Sequence, residues 1–275
     1  MSLSDYDCPI GPWPRHVRRQ GSVRQITPEE LRSWIIHEDD RLLVVNKPGD
    51  IVCHPSKDGP WSSLCGAARE YFGGGGLIHL IFRLDRETSG VVVLAKDVEM
   101  GRRLQMAAQE RRYAKIYLTI LTGELAAETV VDQPLGADFS GPIAVKNCVV
   151  PLGRGQTAIT RYTPLIARNG FTLARVITET GRKHQIRAHA QWLGHSLVGD
   201  KIYGPDQKLF LEFIENGWTP RLAEKLLLPR QALHCAEIDL TLAGETHIFR
   251  APLPEDLVAF VETRMGVAPS LFMNQ

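Results

Sequence analysis

The chain has 275 residues, of which 44% are hydrophobic and 23% charged, as is usual for a globular protein with a sizeable buried core. It contains no apolar run near the roughly 18 residues of a membrane span and no secretory signal at its start, so we expect a cytoplasmic protein without a membrane partner. The net charge of +1 gives no sign of a nucleic-acid partner by itself. However, residues 1–204 carry +5 and residues 205–275 carry −4, which predicts a polyanion-binding face in the first part.

Cysteine and histidine spacing argues against a metal site. The five cysteines are widely spaced and include no CxxC pair, so they are expected to be reduced, mostly buried thiols. His184 and His189 are five residues apart and do not share a helix face, and Gln185 cannot be a metalloprotease base. The glycines at 73–76 predict a flexible loop, and no Gly-Lys-Ser/Thr follows them as in a phosphate loop. We therefore predict neither a metal nor a cofactor.

In chain order, the elements begin with an irregular basic arm over residues 1–34. A short apolar strand is predicted at 41–46, where the sequence RLLVVN ends at a Lys-Pro-Gly turn. The β-branched run GVVVLAK predicts a buried strand at 90–96, and apolar spacing predicts a helix at 98–112.

The second half of the chain also contains both predicted strands and predicted helices. Strands are predicted at 113–121, 157–166, 171–180, 232–242 and 246–250, and helices at 183–193, 209–216 and 254–264. An Arg-Asn-Gly turn at 168–170 joins two of the strands. Many strands with scattered helices predict an α+β fold rather than a regular βαβ array.

Three polar groups stand out as candidates for chemistry. Asp85 lies between two arginines directly before the strand at 90–96, where a carboxylate can stay ionised as a nucleophile must. The alternative is an ordinary charged turn. Arg187 is suited to pair with a carboxylate. Tyr117 lies in an alternating strand, where it is either a core aromatic or a stacking platform.

Five separated segments together resemble the RluA-type family of RNA pseudouridine synthases. They are DRLLVVNKPG at 40–49, RLDRETSG at 83–90, KIY at 115–117, GRKHQIRAH at 181–189 continuing to GHSLVGDKIYG at 194–204, and RQALH at 230–234. The segments occur in the order and spacing of the family. The resemblance identifies residues 35–265 as the catalytic domain, with 266–275 as a tail.

The resemblance implies a cofactor-free isomerisation of uridine to pseudouridine in ribosomal or transfer RNA by a monomeric enzyme with a mixed, mostly antiparallel sheet split by an active-site cleft. It implies that Asp85 is the catalytic carboxylate, that Arg187 pairs with it and that Tyr117 stacks on the uracil. It further implies that Arg83 takes the place of the flipped uridine. Other residues expected to bind RNA or the flipped base are Phe82, Arg182, Lys183 and His184.

Phe82 departs from the family, which usually has histidine directly before Arg-Leu-Asp. If that position only shapes the loop or touches RNA, phenylalanine can replace histidine by packing or stacking, and we favour this interpretation. If it supports the aspartate, activity is reduced, and a non-catalytic RNA-binding relative becomes the alternative. A glycosidase using Asp85 and Glu87 is a third and weaker interpretation.

Overall fold

The computed structural model describes residues 24–54, 58–74 and 77–272. The helices of this part are α1 Pro28–Trp34, α2 Leu64–Tyr71, α3 Val98–Gln109, α4 Gln185–Trp192, α5 Lys208–Asn216, α6 Pro220–Leu226 and α7 Glu255–Met265. Its strands are β1 Ile35–Glu38, β2 Leu42–Lys47, β3 His79–Leu80, β4 Ser89–Ala95, β5 Ala114–Thr122, β6 Thr129–Asp132, β7 Leu135–Ala137, β8 Asn147–Val149, β9 Ile159–Arg168, β10 Phe171–Thr178, β11 Leu233–Asp239 and β12 Ile248–Arg250. None of these helices has the length and apolar character to span a membrane.

One ten-stranded sheet organises the molecule. Its order is β1-β2-β4-β11-β5-β10-β9-β6, with β3 beside β4 and β12 beside β11, while β7 and β8 form a separate ribbon. Among the described residues, β4 and β11 pair in parallel and the other strand pairs are antiparallel. The predicted α+β class with a mixed, mostly antiparallel sheet is therefore confirmed.

The central strands are buried on both faces because different helices cover each side. In β5, Tyr117 and Leu121 belong to a large core that also contains residues of β2, β4, α2 and α3. The side chain of Ile120 belongs to a second core, together with Leu257 and Phe260 of α7. Since successive side chains of a strand point to opposite faces, β5 contacts one core on each side.

Several predicted elements are confirmed, and their ends are set by local backbone conformation. The strand predicted at 90–96 is β4, and the helix predicted at 98–112 is α3, which ends earlier because Arg111 adopts φ 57°. The predicted turn between β9 and β10 has Asn169 and Gly170 both at positive φ, as a tight hairpin requires. Helix α4 begins at Gln185 because His184 is left-handed, with φ 56°.

The prediction of an irregular arm over residues 1–34 is wrong for its last part, which is helix α1. The Thr27 hydroxyl accepts from the Glu30 amide and the Glu30 carboxylate accepts from the Thr27 amide, which is a capping box. Residues 1–23 lie outside the described part. At the other end, Val267 and Phe272 of the predicted tail pack into the core of α7.

The glycine loop predicted at 73–76 lies only partly within the description. Gly73 and Gly74 follow α2 at positive φ, whereas residues 75 and 76 are outside the described part. The sequence patterns did not predict α2, α6, β1 or the short strands β3, β6, β7 and β8.

Gly90 allows β4 and β11 to approach each other. Its φ is +115°, and a Cβ atom at this position would lie 2.2 Å from the carbonyl oxygen of Cys235 on β11. The neighbour is backbone and cannot give way as a flexible side chain would. Strand β4, which begins directly after the polar loop at 83–88, can therefore lie this close to β11 only because residue 90 is glycine.

We predict that Gly90→Ala destabilises the protein by about 2 to 4 kcal/mol, because it combines backbone strain with a clash against β11. Urea unfolding monitored by circular dichroism measures the change. Gly153→Ala is the matched control, since Gly153 also has positive φ (+83°) but a Cβ atom there would meet no described atom beyond its chain neighbours within 4 Å. Equal losses in the two variants would contradict the clash.

Candidate active site

Two adjoining cavities meet at the loop between β3 and β4. The larger measures about 680 Å³ and the smaller about 80 Å³. The residues that line both are Arg83, Leu84, Asp85, His184 and Arg187. The candidate residues Asp85 and Arg187, far apart in sequence, are therefore brought together at the junction of the cavities.

Arg187 on α4 bridges two carboxylates. Its Nη1 donates to Asp85 Oδ2 at 2.9 Å, while its Nε and Nη2 donate to the two oxygens of Asp200 at 2.6 and 2.9 Å. The guanidinium is buried, and Asp200 is fully buried. Asp200 Oδ1 also accepts from the backbone amides of Ile202 and Tyr203, both at 3.0 Å. Arg187 is thus clamped from one side and presents one N–H to Asp85 on the other.

This arrangement keeps Asp85 ionised at a partly exposed position. Burial opposes ionisation of Asp85, but His184, Arg187 and Arg83 outweigh it and lower its pKa. Burial, together with Arg187, lowers the pKa of His184 to about 4, so the imidazole is neutral at pH 7 and the two arginines supply the positive charge. The Asp85 side chain is 23% exposed, which leaves it accessible from the cavities.

His184 and Tyr203 complete the far side of the carboxylate. The Tyr203 hydroxyl lies 3.1 Å from His184 Nδ1, and His184 Nε2 lies 3.7 Å from Asp85 Oδ2. The Arg187 guanidinium lies 5.0 Å from the centre of the Tyr203 ring, in the range of cation–π contacts. The left-handed backbone of His184 directs the chain into α4 at this point.

Buried polar contacts hold the loop that carries Asp85. The fully buried Lys47 ammonium donates to the carbonyl oxygens of Pro48, Ile51 and Arg86 at 2.8 to 3.1 Å. Burial lowers the pKa of Lys47 to about 8, so it carries its charge at neutral pH. One lysine therefore joins the turn after β2 to the loop before β4.

A second set of contacts holds the same loop from the side of β11. Lys201 Nζ donates to Glu87 Oε1 at 2.6 Å, and Gln231 Nε2 donates to Thr88 Oγ1 at 2.7 Å. Because its carboxylate is paired with Lys201, Glu87 serves to stabilise the loop. This finding does not favour a glycosidase that pairs Glu87 with Asp85.

Two aromatic side chains near the small cavity differ in their contact with it. Tyr117 lines this cavity and is 8% exposed, and burial raises its pKa well above 10, so it is a neutral phenol. Phe82 does not line either cavity: it is 5% exposed, and its ring centre lies 4.4 Å from that of Tyr113. Of packing and stacking, the two ways in which Phe82 is expected to act, the covered ring is placed for packing.

The predicted RNA-binding residues lie around the cavity openings. Arg83 is exposed, and its Nη1 lies 3.5 Å from His54 Nε2. Lys183 lines the larger cavity and is exposed. Arg182 lines the smaller one, where its Nε donates to the Thr157 carbonyl at 3.0 Å.

His189, the second histidine of the stretch at 181–189, is accounted for by structural hydrogen bonds. His189 is buried, and its two ring nitrogens lie 2.8 Å from Thr160 Oγ1 and 2.9 Å from the Gln133 carbonyl. Within residues 24–54, 58–74 and 77–272, the group with metal-ligand geometry is His37, Asp39 and His247, and none of these lines either cavity.

Sequence comparison places the chain among RNA-modifying enzymes. A family model described as RNA pseudouridylate synthase matches residues 41–192. The chain is 35% identical over 237 residues to ribosomal large subunit pseudouridine synthase D of Vibrio parahaemolyticus, covering 83% of this chain and 69% of that protein. The protein of the same name from Pseudomonas aeruginosa is 32% identical over 244 residues, covering 84% and 71%.

Structural comparison agrees. Human RNA pseudouridylate synthase domain containing 4 superposes with a TM-score of 0.67 at 26% identity, over 85% of this chain and 94% of the other. Human RNA pseudouridylate synthase domain containing 1 shares the fold, with a TM-score of 0.62 at 22% identity over 87% and 88%. The chain belongs to the RNA pseudouridylate synthase family. It is an RNA pseudouridine synthase, an isomerase, as the five segments predicted.

Three residues that shape this site have no role predicted from the sequence. Asp200 is the main partner of Arg187, Lys47 ties the loop, and Lys115 lines the small cavity with Tyr117. A signal existed for Asp200: it is the only acidic residue in the basic stretch at 181–201. A buried arginine in such a stretch needs a carboxylate, and that stretch offers one.

We predict that Arg187→Ala costs about 3 to 5 kcal/mol of stability, because Asp200 is left buried without its cation. Asp85 and Asp200 have lowered pKa values, so their stabilisation is present above pH 4 and lost as pH falls through those values. In the variant both pKa values rise towards or above their unfolded values, so the acid-dependent part of the stability shrinks, while the acid limb of activity moves to higher pH. Urea unfolding and rate profiles between pH 3 and 7 measure both shifts.

The control is Arg161→Ala, which removes an exposed arginine paired with Glu128. Surface pairs contribute little, so this variant should unfold like the wild type. An Arg187→Ala protein as stable as this control, with an unshifted acid limb, would refute the role of the bridge.

Proposed function

We propose that this enzyme isomerises uridine to pseudouridine in ribosomal RNA, with Asp85 as the catalytic carboxylate. The relatives with the same name support ribosomal RNA as the substrate, and transfer RNA is the second candidate. The observation that carries the role of Asp85 is its ionised carboxylate at the junction of two cavities, held there by Arg187. In this proposal the enzyme works as a cytoplasmic monomer without a cofactor.

The reaction needs a carboxylate but no co-substrate. The N1–C1′ bond breaks, the uracil turns, C5 bonds to C1′, the C5 hydrogen leaves as a proton, and N1 takes up a proton. Atoms and oxidation state are conserved between substrate and product. An ionised Asp85 can attack C1′, add to the uracil ring or assist glycal formation, and its lowered pKa suits each of these routes.

Tyr117 and Arg83 are proposed to hold the substrate in its extruded state. Flipping a base from the stack costs a few kcal/mol. Tyr117 offers a neutral ring in the small cavity, and base–aromatic stacking contributes about 1 to 3 kcal/mol. The exposed Arg83 guanidinium, at the edge of both cavities, can stack in the vacated position and contact phosphate.

RNA recognition is proposed to depend on shape more than on bulk charge. Arg182, Lys183 and His184 line the cavities where the RNA would enter. Some arginines of the basic stretch at 101–115 are already used within the protein. Arg103 donates to the Gly244 carbonyl, and Arg112 donates to the Leu242 carbonyl. Few phosphate contacts and a net charge of +1 favour recognition of a folded RNA site with a flipped base.

We predict that Asp85→Asn abolishes pseudouridine formation while RNA binding persists, because the amide is neutral and a poor nucleophile. Tritium release from C5-labelled uridine RNA measures turnover, since isomerisation displaces the C5 hydrogen. Asp97→Asn is the matched control, because Asp97 caps α3 away from the cavities and asparagine caps helices equally well.

Full activity of Asp85→Asn would overturn the role of Asp85. If the wild-type protein binds RNA but releases no tritium, the alternative of a non-catalytic RNA-binding relative replaces the proposal. Turnover of free nucleosides that frees uracil and leaves its C5 tritium in place would instead support a glycosidase.

The RNA target is tested in cells. We expect that deleting the gene removes one or a few pseudouridines from large-subunit ribosomal RNA, and that wild-type protein but not Asp85→Asn restores them. Pseudouridine mapping of total RNA reads ribosomal and transfer RNA together. Loss confined to transfer RNA would contradict the ribosomal assignment and leave the isomerase activity intact.

A further inference from the structure

Lys115 and Tyr117 point into the small cavity from the same strand. They are two residues apart on β5, so their side chains lie on the same face of the sheet. Both line the small cavity, together with Asp85 and Arg83. A cation and an aromatic ring therefore stand side by side where the proposed function puts the flipped base.

Lys115 differs from Lys47 and Lys201, the two buried lysines near the site, in having no acceptor among the described residues. Lys47 donates to three carbonyl oxygens, and Lys201 donates to Glu87 and to the Pro229 carbonyl. In the described part of the chain, Lys115 Nζ makes no hydrogen bond and has no carboxylate oxygen within 4.0 Å. Its three N–H donors are available to a ligand in the cavity.

Two aromatic rings hold this ammonium in place. Its Nζ lies 4.2 Å from the centre of the Phe82 ring and 5.0 Å from that of Tyr113. Rings at these distances attract a cation without using its hydrogen-bond donors. Phe82, the residue that departs from the family pattern, thus contributes to positioning Lys115. Burial lowers the pKa of Lys115 to about 8, so most of it is charged at pH 7.

We propose that the Lys115 ammonium donates a hydrogen bond to a carbonyl oxygen of the flipped uracil and stabilises the negative charge that develops on the base. Lys115 would then be a catalytic residue in addition to Asp85. This inference rests on the proposed function, because it takes uridine as the substrate.

The charge arises on each route open to Asp85. When the N1–C1′ bond breaks, its electron pair stays on the uracil and is delocalised onto O2 and O4. When Asp85 adds to C6 of the ring instead, the electron pair of the C5–C6 double bond moves onto O4. In both cases a carbonyl oxygen becomes more negative in the transition state than in the substrate. A fixed cation at that oxygen lowers the barrier more than it strengthens binding.

The test compares Lys115→Met and Lys115→Arg with wild type in single-turnover tritium release, with RNA affinity measured separately. Lys115→Met should slow the step by about 100-fold, the usual effect of losing one such donor, and change the Kd by less than about twofold. The wild-type rate should fall as pH rises through about 8, since the neutral amine no longer carries the charge. Lys115→Arg should lose this alkaline limb, because arginine stays charged.

Lys96→Met is the matched control. Lys96 Nζ also lies over an aromatic ring, 4.5 Å from the centre of Phe72, but it lines neither cavity. We expect its turnover to stay within about twofold of wild type.

If the wild type is active, Asp85→Asn is inactive and Lys115→Met is unimpaired, this inference alone is overturned. An inactive wild type overturns the proposed function. If Lys115→Met does not fold, as its melting temperature will show, Lys115→Arg decides. An alkaline limb near pH 8 that persists in Lys115→Arg overturns the role of Lys115.

Discussion

The active site depends on one buried cation shared by two carboxylates. Arg187 cannot be buried without compensation, and Asp200, fully enclosed and bonded to two backbone amides, provides it. The pair is then neutral, and the third N–H direction of Arg187 is aimed at Asp85. Adding the Asp85 carboxylate to the neutral Arg187–Asp200 pair gives a net charge of −1. This charge lies on Asp85, which is partly exposed. The fold thereby presents an ionised Asp85 to the cavities without leaving a bare charge in the core.

The position of that carboxylate also depends on how its loop is held. Loops leave backbone groups unpaired, and here the buried Lys47 satisfies one of them by donating to the Arg86 carbonyl. Lys201 holds the same loop through the Glu87 carboxylate. The loop then enters β4 through Gly90, whose missing side chain lets β11 come close. Since β11 also pairs with β5, the same contact sets the distance between Asp85 and the strand that carries Tyr117 and Lys115.

Sequence patterns predicted the parts of this fold that local chemistry determines. The β-branched run of β4 and the Asn-Gly turn at 169–170 needed no tertiary information. The capping box of α1 was equally local, but it was absorbed into a segment interpreted as irregular. Contacts between residues that are far apart in the sequence could not be predicted in this way. Nothing in the spacing of Arg187 and Asp200 shows that they form a bidentate pair, and the pairing of Arg187 with Asp85 was expected from family resemblance alone.

The substitution at Phe82 is the main departure from the family pattern, and its surroundings indicate what it changes. Phe82 packs against Tyr113, and its ring lies next to the Lys115 ammonium. The charge partner of Asp85 is Arg187. A histidine at this place would offer a polar and titratable ring to Lys115, and a protonated one would repel it. Phenylalanine offers an apolar face that attracts a cation at every pH. The geometry therefore favours a role for this position in loop shape and in the placement of Lys115, with the ionisation of Asp85 maintained independently by Arg187.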